Sequence, residues 1–339
     1  MIDISAMDES GLENLLSEPT EETRKAVAGL RGNIVVLGAG GKMGPTLAMM
    51  LKKASSGRDV YAVSRFSSKA AHTRMERSRI KTIEADLLDE SSYRELPNAE
   101  NVFYLAGMKF GAAGNQPLTW AMNTFLPALA AQHYRDSRIV AFSTGNVYPL
   151  VEATSRGASE ETVPEPVGEY AQSCLGRERM FEYFSAIHKT PVTLVRLNYA
   201  NEPRYGIIVD LTSKILNDVP IDLTMGAVNL IWQRDANDYI IRSITLAKSP
   251  PAILNVTGAD AVPIRRLAQL IGHELGKEPK FVSQEAESAL LSDASFCMST
   301  FGYPQTSLEQ MVSMIVQWVA CGKEILNKPT KYQVRDGKF

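Results

Sequence analysis

Cysteine is scarce in this chain of 339 residues: Cys174, Cys297 and Cys321 are the full set. They are too few and too scattered for a disulfide framework or a zinc site, which predicts a protein of the reducing cytoplasm. The four histidines, His72, His133, His188 and His273, stand apart without metal-ligand spacing, so no metal is expected. No excess of one charge exists either. Lys and Arg number 36 against 38 Asp and Glu, giving a net charge of -2 and a pI near 6.2. The basic residues are dispersed, which argues against a nucleic-acid partner. The stretch Phe110 to Tyr134 carries no Asp, Glu, Lys or Arg, yet it contains Gly, Asn, Gln and Pro. It reads as a buried amphipathic helix with its loop, so no membrane span is expected. The N-terminal residues are acidic (Asp3, Asp8, Glu9) and lack the basic-then-apolar pattern of a secretory signal. Internal repeats and low-complexity segments are absent as well.

The chain does contain a glycine-punctuated run after an apolar tetrad, Ile34-Val35-Val36-Leu37-Gly38-Ala39-Gly40-Gly41-Lys42-Met43-Gly44, followed by residues at helical spacing from Pro45 to Leu51. Strand, tight turn and helix form the context in which a glycine fingerprint points to a dinucleotide. Gly38 permits the turn, Gly40 or Gly41 admits a pyrophosphate close to the backbone, and Gly44 lets the helix pack. The helix N-terminus adds unpaired donors and partial positive charge. Gly38, Gly40, Gly41, Lys42, Met43 and Gly44 are therefore candidate cofactor residues.

Strand and helix signals alternate for about two hundred residues, predicting an α/β, doubly wound parallel sheet of the Rossmann type. Expected strands are 33–37, 59–63, 80–84, 101–105, 138–143 and 192–197, with helices over 43–54, 67–76, 90–95, 116–134 and 168–188. Three parts follow from the pattern. Residues 1–31 form a helical extension, read as a packing arm or an oligomer contact. Residues 32–200 form the nucleotide-binding domain, joined by returning strands near 228–235 and 252–258. Residues 201–227 and 259–330 form a smaller, discontinuous substrate lobe, with helices near 207–217, 236–247, 263–275 and 307–326. Loops 200–227 and 279–305 are expected to close over a cleft, and Lys331–Phe339 to fray.

The second strand runs Val60-Tyr61-Ala62-Val63-Ser64-Arg65, with no acid at its end. An acid there selects the ribose hydroxyl of NAD, whereas an Arg accommodates the 2′-phosphate of NADP. Ser64 and Arg65 favour NADP, with NAD the alternative. In Glu84-Ala85-Asp86-Leu87, the Asp86 carboxylate either bonds an adenine amino group or caps the next turn.

Several segments together resemble extended short-chain dehydrogenases/reductases, the epimerase/dehydratase group. Ser143-Thr144-Gly145-Asn146-Val147-Tyr148 is similar to the family's Ser-Ser/Thr-x-x-Val-Tyr segment, and Tyr170-Ala171-Gln172-Ser173-Cys174 to its Tyr-x-x-x-Lys helix. Leu105-Ala106-Gly107-Met108-Lys109 resembles the Ala-Gly-Leu-Lys segment of UDP-galactose 4-epimerases, and Asn123 falls where the family has a helix Asn. The likeness spans roughly residues 33–326. It implies that Tyr170 is the acid/base and that Thr144 polarises the same substrate oxygen, while the cofactor carries hydride. It adds Leu87, Leu105, Ala106, Gly107, Lys109 and Asn123 to the cofactor contacts. It further implies a small-molecule substrate, a sugar or sugar acid, and a homodimer built on helices 116–134 and 168–188. Two positions depart from the pattern. The family's helix lysine is Cys174 here, and its diphosphate-gripping Arg-Asp pair is replaced by Val228 and Asn229, with Arg204 the substitute candidate. The implied activity is hydride transfer at a carbinol carbon by an oxidoreductase or epimerase. The alternative is a dinucleotide-binding sensor or scaffold without turnover.

Overall fold

The computed structural model describes residues 3–55, 57–109 and 114–338. Phe110 to Ala113, the start of the charge-free stretch, lie outside the described residues, as does Phe339. β1 (Ile34–Leu37), β2 (Val60–Ser64), β3 (Lys81–Glu84), β4 (Asn101–Tyr104), β5 (Arg138–Thr144), β6 (Val192–Leu197) and β7 (Ala252–Val256) form one sheet. Its order is β7-β6-β5-β4-β1-β2-β3, and every pairing is parallel. The chain turns back between β1 and β4, and in open sheets of this kind the crevice lies at the carboxyl ends of the strands beside such a switch.

Period-two alternation separates the two faces. Ile34, Val36, Val60, Ala62, Phe103, Val140 and Val195 share one core with helices α3 (Gly44–Ala54), α4 (Lys69–Arg77), α9 (Gln233–Arg242) and α11 (Ser295–Phe301). Val35, Leu37, Val63, Val102, Tyr104, Ile139 and Leu194 face the other way, against α6 (Leu126–His133) and α7 (Gly168–His188). Burial on both faces explains why these strands read as continuous apolar runs. α5 (Gln116–Trp120) passes through a π-helical turn at Ala121–Phe125 into α6, so the expected helix 116–134 is not one regular element.

A second core gathers α8 (Ile207–Leu216), α10 (Ile264–Leu275) and α12 (Leu308–Ala320) around Trp232 and Leu223. Leu12 and Leu16 of α1 (Glu9–Leu16) enter that core, while Val27 of α2 (Glu21–Ala28) enters the sheet core. Asp8 and Thr20 cap these two helices through Gly11 N and Thr23 N at 2.7 and 3.0 Å.

Two expectations need correction. The apolar run Val228–Trp232 does not return to the main sheet. Ala227–Val228 pairs antiparallel with Val262–Pro263, and Ile231–Trp232 pairs parallel with Ala200–Asn201. Asn229 splits the two ladders by bonding Asp260 O and Ser292 N, and α9 begins at Gln233. Of the two returning segments, only Ala252–Val256 joins the sheet. The tail also does not fray through Lys338. Tyr332 is buried, Arg335 donates to Ser288 O and Oγ at 2.6 and 2.7 Å, and Gly337 lies against Gly168.

Candidate active site

The glycine turn is shaped by contacts that exclude side chains. Gly38 has φ +81°, and a Cβ on it would stand 2.5 Å from Ala106 N. Its N–H and that of Ala39 both donate to Val63 O, tying the turn to β2. A Cβ on Gly44 would fall 2.3 Å from Ala39 O, so this glycine packs the helix against the turn itself. On Gly40 a Cβ would meet Ser64 Oγ at 2.6 Å, whereas one on Gly41 would touch only Gly38 O at 3.4 Å. Gly40 is thus the position of close approach. α3 starts at Gly44 with Pro45 in its first turn, and no side chain caps its first donors.

Beside this turn lies a crevice of about 260 Å³ that contains Gly38, Gly40, Gly41, Ser64, Arg65 and Asp86. Leu87, Leu105, Ala106 and Gly107 complete its predicted lining, and Phe66, Met122 and Leu126 add apolar surface that the sequence pattern did not reveal. Arg65 Nη1 stands 4.0 Å from Asp86 Oδ2, and both side chains are largely exposed at the mouth. The other Asp86 oxygen accepts from Leu88 N at 3.0 Å, so this carboxylate caps the turn and faces Arg65 at once.

Across the turn is a second cavity of about 150 Å³, lined by Lys42, Met43, Lys109, Thr144 and Tyr170. Thr144 ends β5, where its hydroxyl accepts from Asn146 N at 3.2 Å and donates to Asn146 Oδ1 at 3.0 Å. Tyr170 lies in the first turn of α7, and it shares the cavity with Thr144 and packs with Cys174. Burial, with Cys174 alongside, drives the Tyr170 hydroxyl well above its ordinary value near 10, against the pull of Arg177. Burial raises the Cys174 thiol too, so it is a neutral, inert group. Burial lowers both lysines: Lys42 falls to about 7, while Lys109 is lowered with Cys174 and Asp210 opposing the change. Lys42 Nζ donates to Ala200 O at 2.8 Å and lies 4.9 Å from the Tyr205 ring centre.

Two predicted contacts lie behind these cavities. Gly44 serves packing, as above. Asn123 is fully buried and fully engaged: its Oδ1 accepts from Met108 N and Arg177 Nη2 at 2.8 and 2.6 Å. Its Nδ2 donates to Met108 O and Ser173 Oγ at 2.9 and 3.0 Å. Asn123 therefore clamps the loop after β4 to α7 and positions it. Arg204 is also unavailable as a diphosphate grip. It bonds Glu202, Glu9 and Glu13 at 3.2, 2.8 and 3.2 Å, so α1 neutralises it.

Sequence reasoning missed Tyr199, Asn201, Tyr205 and Thr330, which also line the second cavity. Behind it, Glu178 and Arg196 form a buried bidentate pair at 3.0 and 2.7 Å, with the Ser143 hydroxyl donating to the same carboxylate. Among the described residues, no cluster of three His, Cys, Asp or Glu is placed to hold a metal, and no helix is long and apolar enough to cross a membrane.

The family model described as "NAD dependent epimerase/dehydratase family" matches residues 34–204. The chain belongs to this family. No curated protein matches the sequence. Among solved structures, UDP-galactose 4-epimerase shares 21% identity, covering 85% of this chain and 98% of that one with a TM-score of 0.69. UDP-glucuronic acid 4-epimerase from Bacillus cereus, in complex with NAD, shares 19% identity over 85% and 98% at a TM-score of 0.72. dTDP-glucose 4,6-dehydratase from Bacillus anthracis, in complex with NAD, shares 14% over 86% and 97% at 0.74. At these identities the likeness establishes the fold.

Proposed function

We propose that this family member is an NAD(P)-dependent oxidoreductase or epimerase that transfers hydride at a carbinol carbon of a sugar or sugar-derived substrate. The observation that carries this reading is the Tyr170–Thr144 hydroxyl pair, which lines one cavity just across the glycine turn. The residues present fit a dinucleotide. Gly40 brings the turn so close to Ser64 that a Cβ would stand 2.6 Å from its Oγ, and the α3 N-terminus has no side chain of its own to satisfy it. Gly38, Gly40 and Gly41 would lie along the pyrophosphate with Lys42 and Met43 beside it, and Leu105, Ala106 and Gly107 would form the floor. Ser64 and Arg65 favour NADP over NAD, because the acid that lines the crevice, Asp86, is already shared between Arg65 and a backbone turn.

When bound, the nicotinamide ring supplies or accepts the hydride. Thr144 fixes the substrate oxygen by a hydrogen bond, and Tyr170 delivers a proton to that oxygen or removes one from it. Because burial keeps Tyr170 a phenol near neutral pH, it is ready to donate, which suits reduction of a carbonyl. Removal of a proton becomes easier as pH rises, so oxidation of an alcohol should accelerate toward alkaline pH. The three unpaired cysteines suit the cytoplasm. A homodimer is supported by exposed apolar side chains on the helices flanking the site, Leu118, Trp120, Phe125, Tyr183 and Ile187. Light scattering should show a dimer that Phe125→Glu with Tyr183→Glu dissociates.

The functional test is to incubate the protein with NADP and a panel of sugars and sugar acids while following nicotinamide absorbance. Tyr170→Phe should abolish turnover and leave cofactor affinity intact. Cys174→Ala should cost little, and Cys174→Lys should shift the pH–rate profile downward by placing an ammonium beside the phenol. Turnover indifferent to Tyr170→Phe would refute the assignment. Tight cofactor binding with no turnover on any substrate would favour a sensor.

A further inference from the structure

The cavity that holds Tyr170 is closed on one side by the C-terminal tail. Thr330 lines it, and the Thr330 backbone N–H and hydroxyl both donate to Asp210 Oδ2, at 2.8 and 2.6 Å. Asp210 in turn lines a separate outer cavity of about 310 Å³, so this pair of hydrogen bonds stands between the two spaces. The tail is anchored along its length. Leu326 N donates to Arg204 O at 2.9 Å, Tyr332 is buried, Arg335 is held by Ser288, and Gly337 abuts Val167 and Gly168 at the start of α7. The inner cavity, at about 150 Å³, is half the size that begins to bury a drug-sized ligand, about 300 Å³.

The charge inside that space is one-sided. Lys42 is bound to Ala200 O, but among the described residues the Lys109 ammonium has no hydrogen-bond or ion-pair partner. Asp210, the carboxylate whose charge acts on Lys109, already has one oxygen committed to the tail. An unpaired ammonium in a half-dry pocket is a built receptor for a carboxylate. On the outer side Arg204 is neutralised by three glutamates, and Lys214, Lys328 and Lys331 line that cavity beyond the Thr330–Asp210 bonds.

We infer that the cleft beside Tyr170 takes a small polyhydroxy carboxylate, a free sugar acid, with Lys109 holding the acid group and the tail at Thr330 limiting its length. This rests on the proposed function in locating the reacting oxygen at Tyr170. A nucleotide-linked sugar would have to part the Thr330–Asp210 bonds to enter.

The test is calorimetric titration of the NADP-saturated protein with D-gluconate, D-glucuronate, D-glucose and UDP-glucuronate, repeated with Lys109→Met. One or both free acids should bind at least about tenfold tighter than D-glucose and no more weakly than UDP-glucuronate. Lys109→Met, titrated at an NADP concentration that saturates the variant, should erase the preference for acid over neutral sugar. UDP-glucuronate binding tenfold tighter than the free acids would overturn the inference, as would equal affinity for D-glucose, an acid preference that survives Lys109→Met, or no binding by either acid. Nicotinamide absorbance read in the same samples separates the two claims. Acid binding without hydride transfer on any substrate removes the proposed function alone, and turnover confined to nucleotide-linked or neutral sugars removes this inference alone.

Discussion

Replacing Glu178 by Leu should destabilise the protein severely, because Glu178 is fully buried and balances an equally buried charge. Its carboxylate accepts two bonds from Arg196, at 3.0 and 2.7 Å, and a third from the Ser143 hydroxyl. Arg196 is 2% exposed, and its Nη1 already lacks a partner. Without Glu178 the guanidinium would keep only the face of Tyr148, 4.6 Å away. Leaving one member of a buried ion pair uncompensated costs about 3–5 kcal/mol, or roughly two to four powers of ten in the folding equilibrium. Replacing both members with apolar residues, Glu178→Leu with Arg196→Met, removes the stranded charge and should recover more than half of that loss. Urea unfolding followed by tryptophan fluorescence measures it: the midpoint should fall sharply for the single variant and rise again for the double. A loss below about 1 kcal/mol for Glu178→Leu, the range of exposed pairs, would refute the argument. So would a double variant weaker than the single.

Gly40→Val should abolish NADP binding in a calorimetric titration with little change in circular dichroism, since its Cβ meets Ser64 Oγ at 2.6 Å where the pyrophosphate would approach. Arg65→Asp should weaken NADP at least tenfold more than NAD; a wild type that binds NAD tenfold better than NADP would sink the charge argument. Lys42, lowered to about 7 by burial, should make NADP affinity fall as pH rises from 6 to 8, because phosphate favours the protonated ammonium. Lys42→Met should flatten that dependence. The same group should make the apo protein more stable from pH 7 toward 10.5, since across that range the unfolded chain binds the extra proton.

The parts of the site that sequence revealed are those built from neighbours in the chain. The turn Gly38–Gly44 is strand, loop and helix within a dozen residues. Thr144 and Tyr170 each begin or end a regular element with strong local pattern. What stayed hidden depends on distant partners. Arg204 looks available until Glu9, 195 positions earlier, is brought onto it by α1. Val228–Trp232 alternates like a strand, but the Asn229 bonds to Asp260 and Ser292 divide it between two partners. The polar tail carries no periodicity, and its order comes from Asp210, Ser288 and Gly168, none of which is near it in sequence. Asn123 matched a family position, yet its role is set by Met108 and Arg177, whose convergence no spacing rule announces.

The tail contact at Thr330 gives the enzyme a modular way to diverge. Tyr170, the proposed proton donor, sits on α7, while another part of the same cavity wall, Thr330, arrives from a segment with no strand or helix of its own. Substitutions between Asn327 and Gln333 can alter which molecules are admitted without touching the glycine turn, β5 or α7. Laboratory evolution aimed at new substrates should therefore accumulate its changes there first, and variants recovered from such a selection should keep their nicotinamide affinity while exchanging one acceptor for another.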